Sequence, residues 1–228
     1  MRKSCVLLCA AAVAAVVLSG CSSFHIFRGE RKVKAQYEPE GKDILVIPFR
    51  DLVFDHFEKL DNTVTIGSPE GALLAELAGA YIANHKITPV RYGRMVSPMV
   101  ATLYLQHKDK PEEAWRYISN ALEADLILIG EITKLETGDP RRVGMATGVL
   151  EYSACLMDMT GESPGGIVWW VDRKQLTYPE GRAWDHGASP MDLPPERLKR
   201  FLLLRAGEEI GKAFHDHTEP IVKVGTTE

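Results

Sequence analysis

The chain has 228 residues, of which 45% are hydrophobic, and its formal net charge at neutral pH is -4. This length and apolar content are enough for one sizeable hydrophobic core. With 27 Lys and Arg against 31 Asp and Glu, the chain lacks the basic footprint of a nucleic-acid-binding protein. We therefore expect no nucleic-acid partner.

Residues 1–20 have the layout of a secretory signal peptide. Arg2 and Lys3 give a basic start, and the apolar run 5–18 is shorter than the roughly 20 residues that span a bilayer. Small residues then lead to Cys21 in the stretch LSGCSS, which resembles the lipobox of bacterial lipoproteins. The resemblance implies cleavage before Cys21 and acyl chains on it. The alternative is an ordinary cleaved signal that happens to be followed by a cysteine.

Acylation at Cys21 predicts a stable membrane anchor, because two or more acyl chains hold a protein on a bilayer almost permanently. Ser22 stands where an Asp would, by resemblance to enteric lipoproteins, favour the inner membrane. We therefore expect the protein on the periplasmic face of the outer membrane.

Cys155 is left without an intramolecular partner once the signal is removed and Cys21 is acylated. The cysteines thus form neither a disulfide framework nor a zinc pattern. Cys155 lies in a strand-like segment, where a buried, inert thiol is the commoner outcome. An intermolecular bridge or a reactive thiol is the alternative.

The chain is predicted to contain one folded domain. Residues 21–42 are expected to form the lipidated cysteine and a tether, residues 43–216 a single globular domain, and residues 217–228 a flexible C-terminal tail. The stretch 22–41 lacks periodicity, and at full extension it would reach at most about 70 Å.

Apolar periodicity predicts an alternation of strands and helices in the domain. In chain order, the prediction begins with a buried strand at 43–49, a helix that starts after Ser68, a brief edge strand at 87–91, a weak helix at 99–106 and a helix at 111–122. A strand at 124–135, an antiparallel hairpin of 147–159 with 166–176 and a helix at 195–214 follow. The predicted fold is α/β, with a mixed parallel and antiparallel sheet flanked by helices.

Three local patterns accompany this order: DILVIPF at 43–49, EADLILIGEI at 123–132, and LMDMTGE paired with IVWWV across a turn. Together they resemble the periplasmic α/β lipoprotein group that includes the curli-secretion channel lipoprotein, the penicillin-binding-protein activator lipoproteins and the amino-terminal domain of the Tol translocation protein. The resemblance implies a binding role in place of catalysis. A membrane-spanning barrel would need two long amphipathic hairpins, whereas one is found and it carries several charges.

The sequence has no GxxxxGK[ST], HExxH or CxxC motif. GESPG at 161–165 matches GxSxG, but it falls in the predicted hairpin turn, whereas a nucleophile elbow lies between a strand and a helix. One loop gathers acidic and imidazole side chains, at Asp51, Asp55, His56 and Glu58. Their spacing matches no ligand frame, so we expect solvated charges and no metal or cofactor. His215 and His217 near the end of the last helix are interpreted as capping residues.

The candidate partner contacts are Trp169, Trp170, Trp184, Asp185 and His186. Trp169 and Trp170 are adjacent on a strand and must point to opposite faces. Burial of both in a central strand is favoured over an exposed anchor. The loop at 184–186 combines an aromatic, an acid and an imidazole, and contact is favoured there over catalysis.

We therefore expect a lipid-anchored periplasmic adaptor, not an enzyme, that scaffolds or regulates a cell-envelope assembly or secretion complex. Its expected partners are the membrane, through acyl chains on Cys21, and a cell-envelope protein. A periplasmic hydrolase using Asp185 and His186, or an oligomeric export-channel component, is the alternative. The sequence leaves homo-oligomer formation open.

Overall fold

The predicted strands and helices occur in the predicted order, and the described part of the chain contains five further strands, β1, β3, β4, β5 and β10 as defined below, that were not predicted. The computed structural model describes residues 24–39, 41–51, 59–60, 63–64, 68–85, 90–92, 96–107, 110–138, 146–160, 164–178 and 193–226. Helices in these ranges are α1 (Pro69–Asn84), α2 (Val96–Gln106), α3 (Pro111–Leu122) and α4 (Pro195–Lys212). The strands are β1 (Phe24–Val33), β2 (Ile44–Val46), β3 (Arg50–Asp51), β4 (Lys59–Leu60), β5 (Thr63–Val64), β6 (Val90–Arg91), β7 (Leu126–Gly138), β8 (Thr147–Asp158), β9 (Gly166–Tyr178) and β10 (His217–Thr226).

The start of α1 follows the predicted capping pattern. Ser68 Oγ accepts a hydrogen bond from the backbone N–H of Gly71 at 3.0 Å, and Pro69 takes the first helical position. Proline is tolerated there because the amides of the first turn have no partner within the helix. The predicted helix start is confirmed.

The main sheet belongs to residues 35–215, which form one of two compact units. Its strand order is β6-β2-β7-β8-β9, and β3 also pairs with β7. β2 runs parallel to β6 and β7, whereas β7, β8 and β9 pair antiparallel. The predicted mixed sheet of a single α/β domain is confirmed, with β6 at one edge and β9 at the other.

Helices α1 and α4 cover one face of this sheet. Their apolar side chains pack against inward residues such as Leu128, Tyr152 and Trp169. The two helices approach closely where α4 carries glycine, since a Cβ on Gly207 would lie 2.7 Å from Cβ of Leu77. This face holds the larger part of the core.

Helices α2 and α3 cover part of the opposite face. Val100 of α2 and Ile118 of α3 pack with Leu45, Ile127 and Met157 of the sheet. Among the described residues, β9 contributes no side chain to this second cluster. The outer face of β9 therefore lies beyond the helical cover.

The folded unit begins before residue 43. The N–H groups of Gln36 and Tyr37 donate to the carbonyl of Ala213 at 2.8 and 3.1 Å. Residues 35–42, predicted as part of the tether, therefore belong to the α/β unit, which spans 35–215. Backbone hydrogen bonds to a helix end leave no periodic signal in the sequence, which is why the pattern missed this segment.

The other compact unit contains a two-stranded ribbon. β1 and β10 pair antiparallel from Phe24 opposite Thr226 to Val33 opposite His217. The predicted tether and flexible tail are corrected here, because each contains a strand. Gly29 and Pro220 weaken the local strand signal, and each strand finds its partner at the far end of the chain.

Candidate protein-binding surface

β9 is an outer strand of the sheet. Within the described ranges it pairs with β8 alone, so its other side presents backbone N–H and C=O groups to a further strand. Its first half, GIVWWV at 166–171, contains no charged residue, whereas its second half begins with DRK at 172–174. The two halves of the β9 edge therefore differ in charge.

The second half of β9 contains a β-bulge at residues 172 and 173. Residues 172 and 173 face the single residue Ser153, and Arg173 adopts a left-handed φ of 46°. Ser153 Oγ accepts the N–H of Arg173 at 3.1 Å and donates to Asp172 Oδ1 at 3.3 Å. β9 has a second bulge at Val168, between Ile167 opposite Met157 and Trp169 opposite Leu156. Because charges hinder edge-to-edge pairing, the charged residues 172–174 make the second half a poorer edge for an added strand than the uncharged residues 166–171.

The adjacent tryptophans point to opposite faces, as predicted. Trp169 is 6% exposed, its indole N–H donates to Gln36 Oε1 at 2.8 Å, and its ring meets Phe214 edge-on at 5.0 Å between centroids. Trp170 is 68% exposed. Burial of both is therefore wrong for Trp170, because β9 is an edge strand and not a central one. Trp169 is a core residue.

Trp170 belongs to a small apolar surface, the β9 patch, formed by Ile167, Val168 and Trp170, which are 59%, 37% and 68% exposed. In the strand register Ile167 opposes Met157 and Trp170 opposes Cys155, two residues of the second core cluster. Cross-strand partners share a face of the sheet. The patch therefore continues this core past the margin of α2 and α3.

Cys155 lies half-buried beside the β9 patch and is a free cysteine. Burial raises the pKa of its thiol. The reactive thiolate is therefore disfavoured at neutral pH. Cys155 acts as a packing residue, in agreement with the inert thiol that the sequence favours.

An ion pair fixes the end of β8 next to the start of β9. Lys42 Nζ lies 2.7 Å from Asp158 Oδ2, and Asp158 Oδ1 accepts bonds from Thr160 N at 2.8 Å and Thr160 Oγ1 at 2.6 Å. Burial works against ionisation of Asp158, but the hydrogen bonds from Lys42 and Thr160 outweigh it and lower its pKa. The bond to Asp158 raises the pKa of Lys42. The ion pair and the hydrogen bonds to Thr160 therefore stabilise the end of β8.

His215 and His217 have different surroundings. Nδ1 of His215 lies 3.1 Å from the carbonyl oxygen of Gly211 in the last turn of α4, and its ring stacks on His85 at 3.9 Å between centroids. His217 belongs to β10, with Nε2 3.5 Å from Glu219. The capping interpretation agrees with the geometry of His215 but not with that of His217.

Several predicted site residues lie outside the described residues: Cys21, Trp184, Asp185, His186, Asp55, His56 and Glu58. Within the described ranges, no group of three or more His, Cys, Asp and Glu side chains is placed to hold a metal. Among the helices of that same part of the chain, none has both the length and the apolar composition of a membrane span.

The chain is similar to several solved structures, although no protein-family model and no curated protein matches it. The PelC dodecamer from Paraburkholderia phytofirmans has a TM-score of 0.41 at 12% identity, covering 81% of this chain and 98% of that chain. Lipoprotein GNA1162 from Neisseria meningitidis has a TM-score of 0.37 at 14% identity, covering 64% and 90%. The LpoB C-terminal domain from Salmonella enterica has a TM-score of 0.34 at 13% identity, covering 65% and 86%.

These neighbours include a lipoprotein and the LpoB C-terminal domain, in keeping with the group that the sequence resembles. At 12–14% identity these likenesses carry nothing about the role of this chain. The function of this chain is therefore inferred from its own residues.

Proposed function

We propose that this chain is a lipid-anchored adaptor of the bacterial cell envelope, without catalytic activity, that binds an extended segment of an envelope protein along β9. The observation that carries the proposal is the uncharged half-strand 166–171, whose Trp170 is 68% exposed and whose outer edge pairs with no strand among the described residues. Large exposed aromatic side chains are enriched at the centres of protein interfaces.

An extended partner segment suits this edge better than a helix. A strand added along residues 166–171 satisfies outward backbone groups of β9 on either side of the bulge at Val168 and brings side chains against the β9 patch. The charged residues 172–174 disfavour pairing beyond this half. A contact of about six residues is short, so the anchor contributes by raising the local concentration of the adaptor at the membrane.

The proposed anchor is Cys21, with the folded unit on the periplasmic side of the outer membrane. The basic start, the short apolar run and the small residues before Cys21 support this address. Cys21→Ala should abolish incorporation of a labelled fatty acid into the protein. Unchanged labelling of that variant would contradict lipid attachment at this residue.

Site-specific photocrosslinking in living cells tests the binding surface. A photoreactive amino acid in place of Trp170 should yield one dominant crosslinked envelope protein. The matched control is Tyr117, an aromatic residue of α3 that is 48% exposed and lies outside the β9 patch.

Three outcomes of this experiment would overturn the proposed site. They are no product from position 170, the same product from positions 170 and 117, and a crosslinked dimer of this chain. The dimer would identify a second copy as the occupant of the β9 edge.

A further inference from the structure

The ribbon of β1 and β10 brings two distant parts of the chain to one end. Phe24 opposes Thr226, whereas Val33 opposes His217 at the other end. At about 3.3 Å per residue, the two ends of a ten-residue strand lie roughly 30 Å apart. The ribbon therefore has a Phe24–Thr226 end and a distinct Val33–His217 end.

The Phe24–Thr226 end lies next to the predicted lipid anchor in the covalent chain. Cys21 precedes Phe24 by three residues. Three residues span at most about 11 Å, and cross-strand Cα atoms lie about 5 Å apart, so Thr226 lies within roughly 16 Å of Cys21. Acyl chains on Cys21 would fix this end of the ribbon at the bilayer.

We propose that the Phe24–Thr226 end of the ribbon is seated on the lipid headgroups, so that the chain around residue 226 contacts the membrane as well as the anchor. This inference rests on the proposed lipidation of Cys21. Its new content is that β10, the carboxy-terminal strand, is a second point of contact with the phospholipid surface.

The ribbon has few stabilising interactions of its own, so contact with a headgroup surface would add to its stability. A two-stranded ribbon is marginally stable in water. Near its Val33–His217 end, Arg31 forms a cross-strand ion pair with Glu219 at 2.8 Å, and the hydrogen bond from Arg31 lowers the pKa of Glu219. Exposed pairs of this kind add little. A headgroup surface at the opposite end would restrain both strands where they begin and end.

Fluorescence quenching in vesicles tests the proposal with two matched positions on β10. The lipidated protein carries Cys155→Ser together with either Thr226→Cys or Thr218→Cys, and each new thiol is labelled with the same fluorophore. Each protein is reconstituted in phosphatidylethanolamine and phosphatidylglycerol vesicles that contain a headgroup nitroxide lipid. We expect loss of most fluorescence at residue 226 and retention of most fluorescence at residue 218.

Quenching at residue 226 that is equal to or weaker than quenching at residue 218 overturns the inference while leaving the anchor intact. A full-length protein that neither takes up labelled fatty acid nor binds the vesicles overturns both the anchor and the inference. A Cys21→Ala protein should lose quenching at residue 226. Quenching there that survives this change would mean that the dye inserts by itself, which also counts against the proposal.

Discussion

Two neighbouring tryptophans lie on opposite faces of β9 and differ in exposure. Trp169 fills the core and its indole N–H is satisfied by Gln36, whereas Trp170 stands on the outer face of β9. An indole that is buried and hydrogen-bonded contributes to folding, and an exposed indole beside an open strand contributes to binding. The pair therefore places a core side chain and the proposed partner contact at adjacent positions.

Alanine substitutions at these two positions should have different effects on stability. Trp169→Ala leaves a cavity and should lower the free energy of unfolding by about 3–5 kcal/mol. Trp170→Ala removes an exposed side chain and should change the same quantity by less than about 0.5 kcal/mol. Chemical unfolding of the purified lipoprotein in detergent measures both. Equal losses would mean that Trp170 is also part of the core.

The Lys42–Asp158 pair makes stability depend on pH at both extremes. The pKa of Asp158 is below its ordinary value of 3.8, so its contribution is present above that value and is lost as pH falls through the lowered pKa. The pKa of Lys42 is above its ordinary value of 10.5, so its contribution is lost as pH rises through the raised pKa. Between these limits the pair is fully charged.

Asp158→Asn should therefore lower the free energy of unfolding by about 1 kcal/mol at neutral pH. This is a small loss for a hydrogen bond between charged groups, because both side chains are partly exposed. Unfolding followed from neutral to acidic pH should show a flatter profile for the variant. Glu136→Gln, in the exposed pair with Lys134, is the control and should leave the profile unchanged. An acid profile of Asp158→Asn identical to that of the native protein would remove the role of this pair.

Among the secondary-structure elements, helices α1 and α4 depend on small residues at their contact. A Cβ on Gly207 would lie 2.7 Å from Leu77 Cβ and 3.0 Å from the backbone N of Ala78. Backbone atoms cannot move aside as a flexible side chain does. The close approach of the two helices thus depends on glycine at this position.

Gly207→Ala should lower the free energy of unfolding by about 1–3 kcal/mol, because overpacking at the contact exceeds the helix-propensity gain of about 1 kcal/mol. Leu204→Ala, an exposed change on the same helix, should shift it by less than about 0.5 kcal/mol. Thermal or chemical unfolding compares the two variants. A stabilised Gly207→Ala protein would show that the helices can separate without cost.

The sequence pattern predicts the elements well where the signal is local. The bounds of α3 at 111–122, the cap at Ser68 and the hairpin of β8 and β9 depend on neighbouring residues, and all three are confirmed. The exposure of Trp170 depends on which strand ends the sheet and on how far α2 and α3 reach. The ribbon depends on strands from the two ends of the chain. Neither the exposure of Trp170 nor the pairing of the ribbon can be predicted from a short stretch of sequence.

At the scale of the whole molecule, the chain contains two units with separate proposed roles. Residues 35–215 form the α/β unit that carries the β9 patch, and the ribbon unit follows directly after the predicted lipid anchor. An adaptor needs both properties, because the anchor supplies concentration at the membrane and the open edge supplies selectivity. The central claim is therefore that β9 binds an envelope protein.

Affinity purification of the native lipoprotein from solubilised membranes, followed by mass spectrometry, tests this claim most directly. We expect a stoichiometric envelope protein that is recovered with the native chain and with a Tyr117→Ala variant, and is lost with Trp170→Asp. Recovery of the same protein with Trp170→Asp would contradict binding at β9. A native lipoprotein purified without any envelope protein would contradict the adaptor function itself.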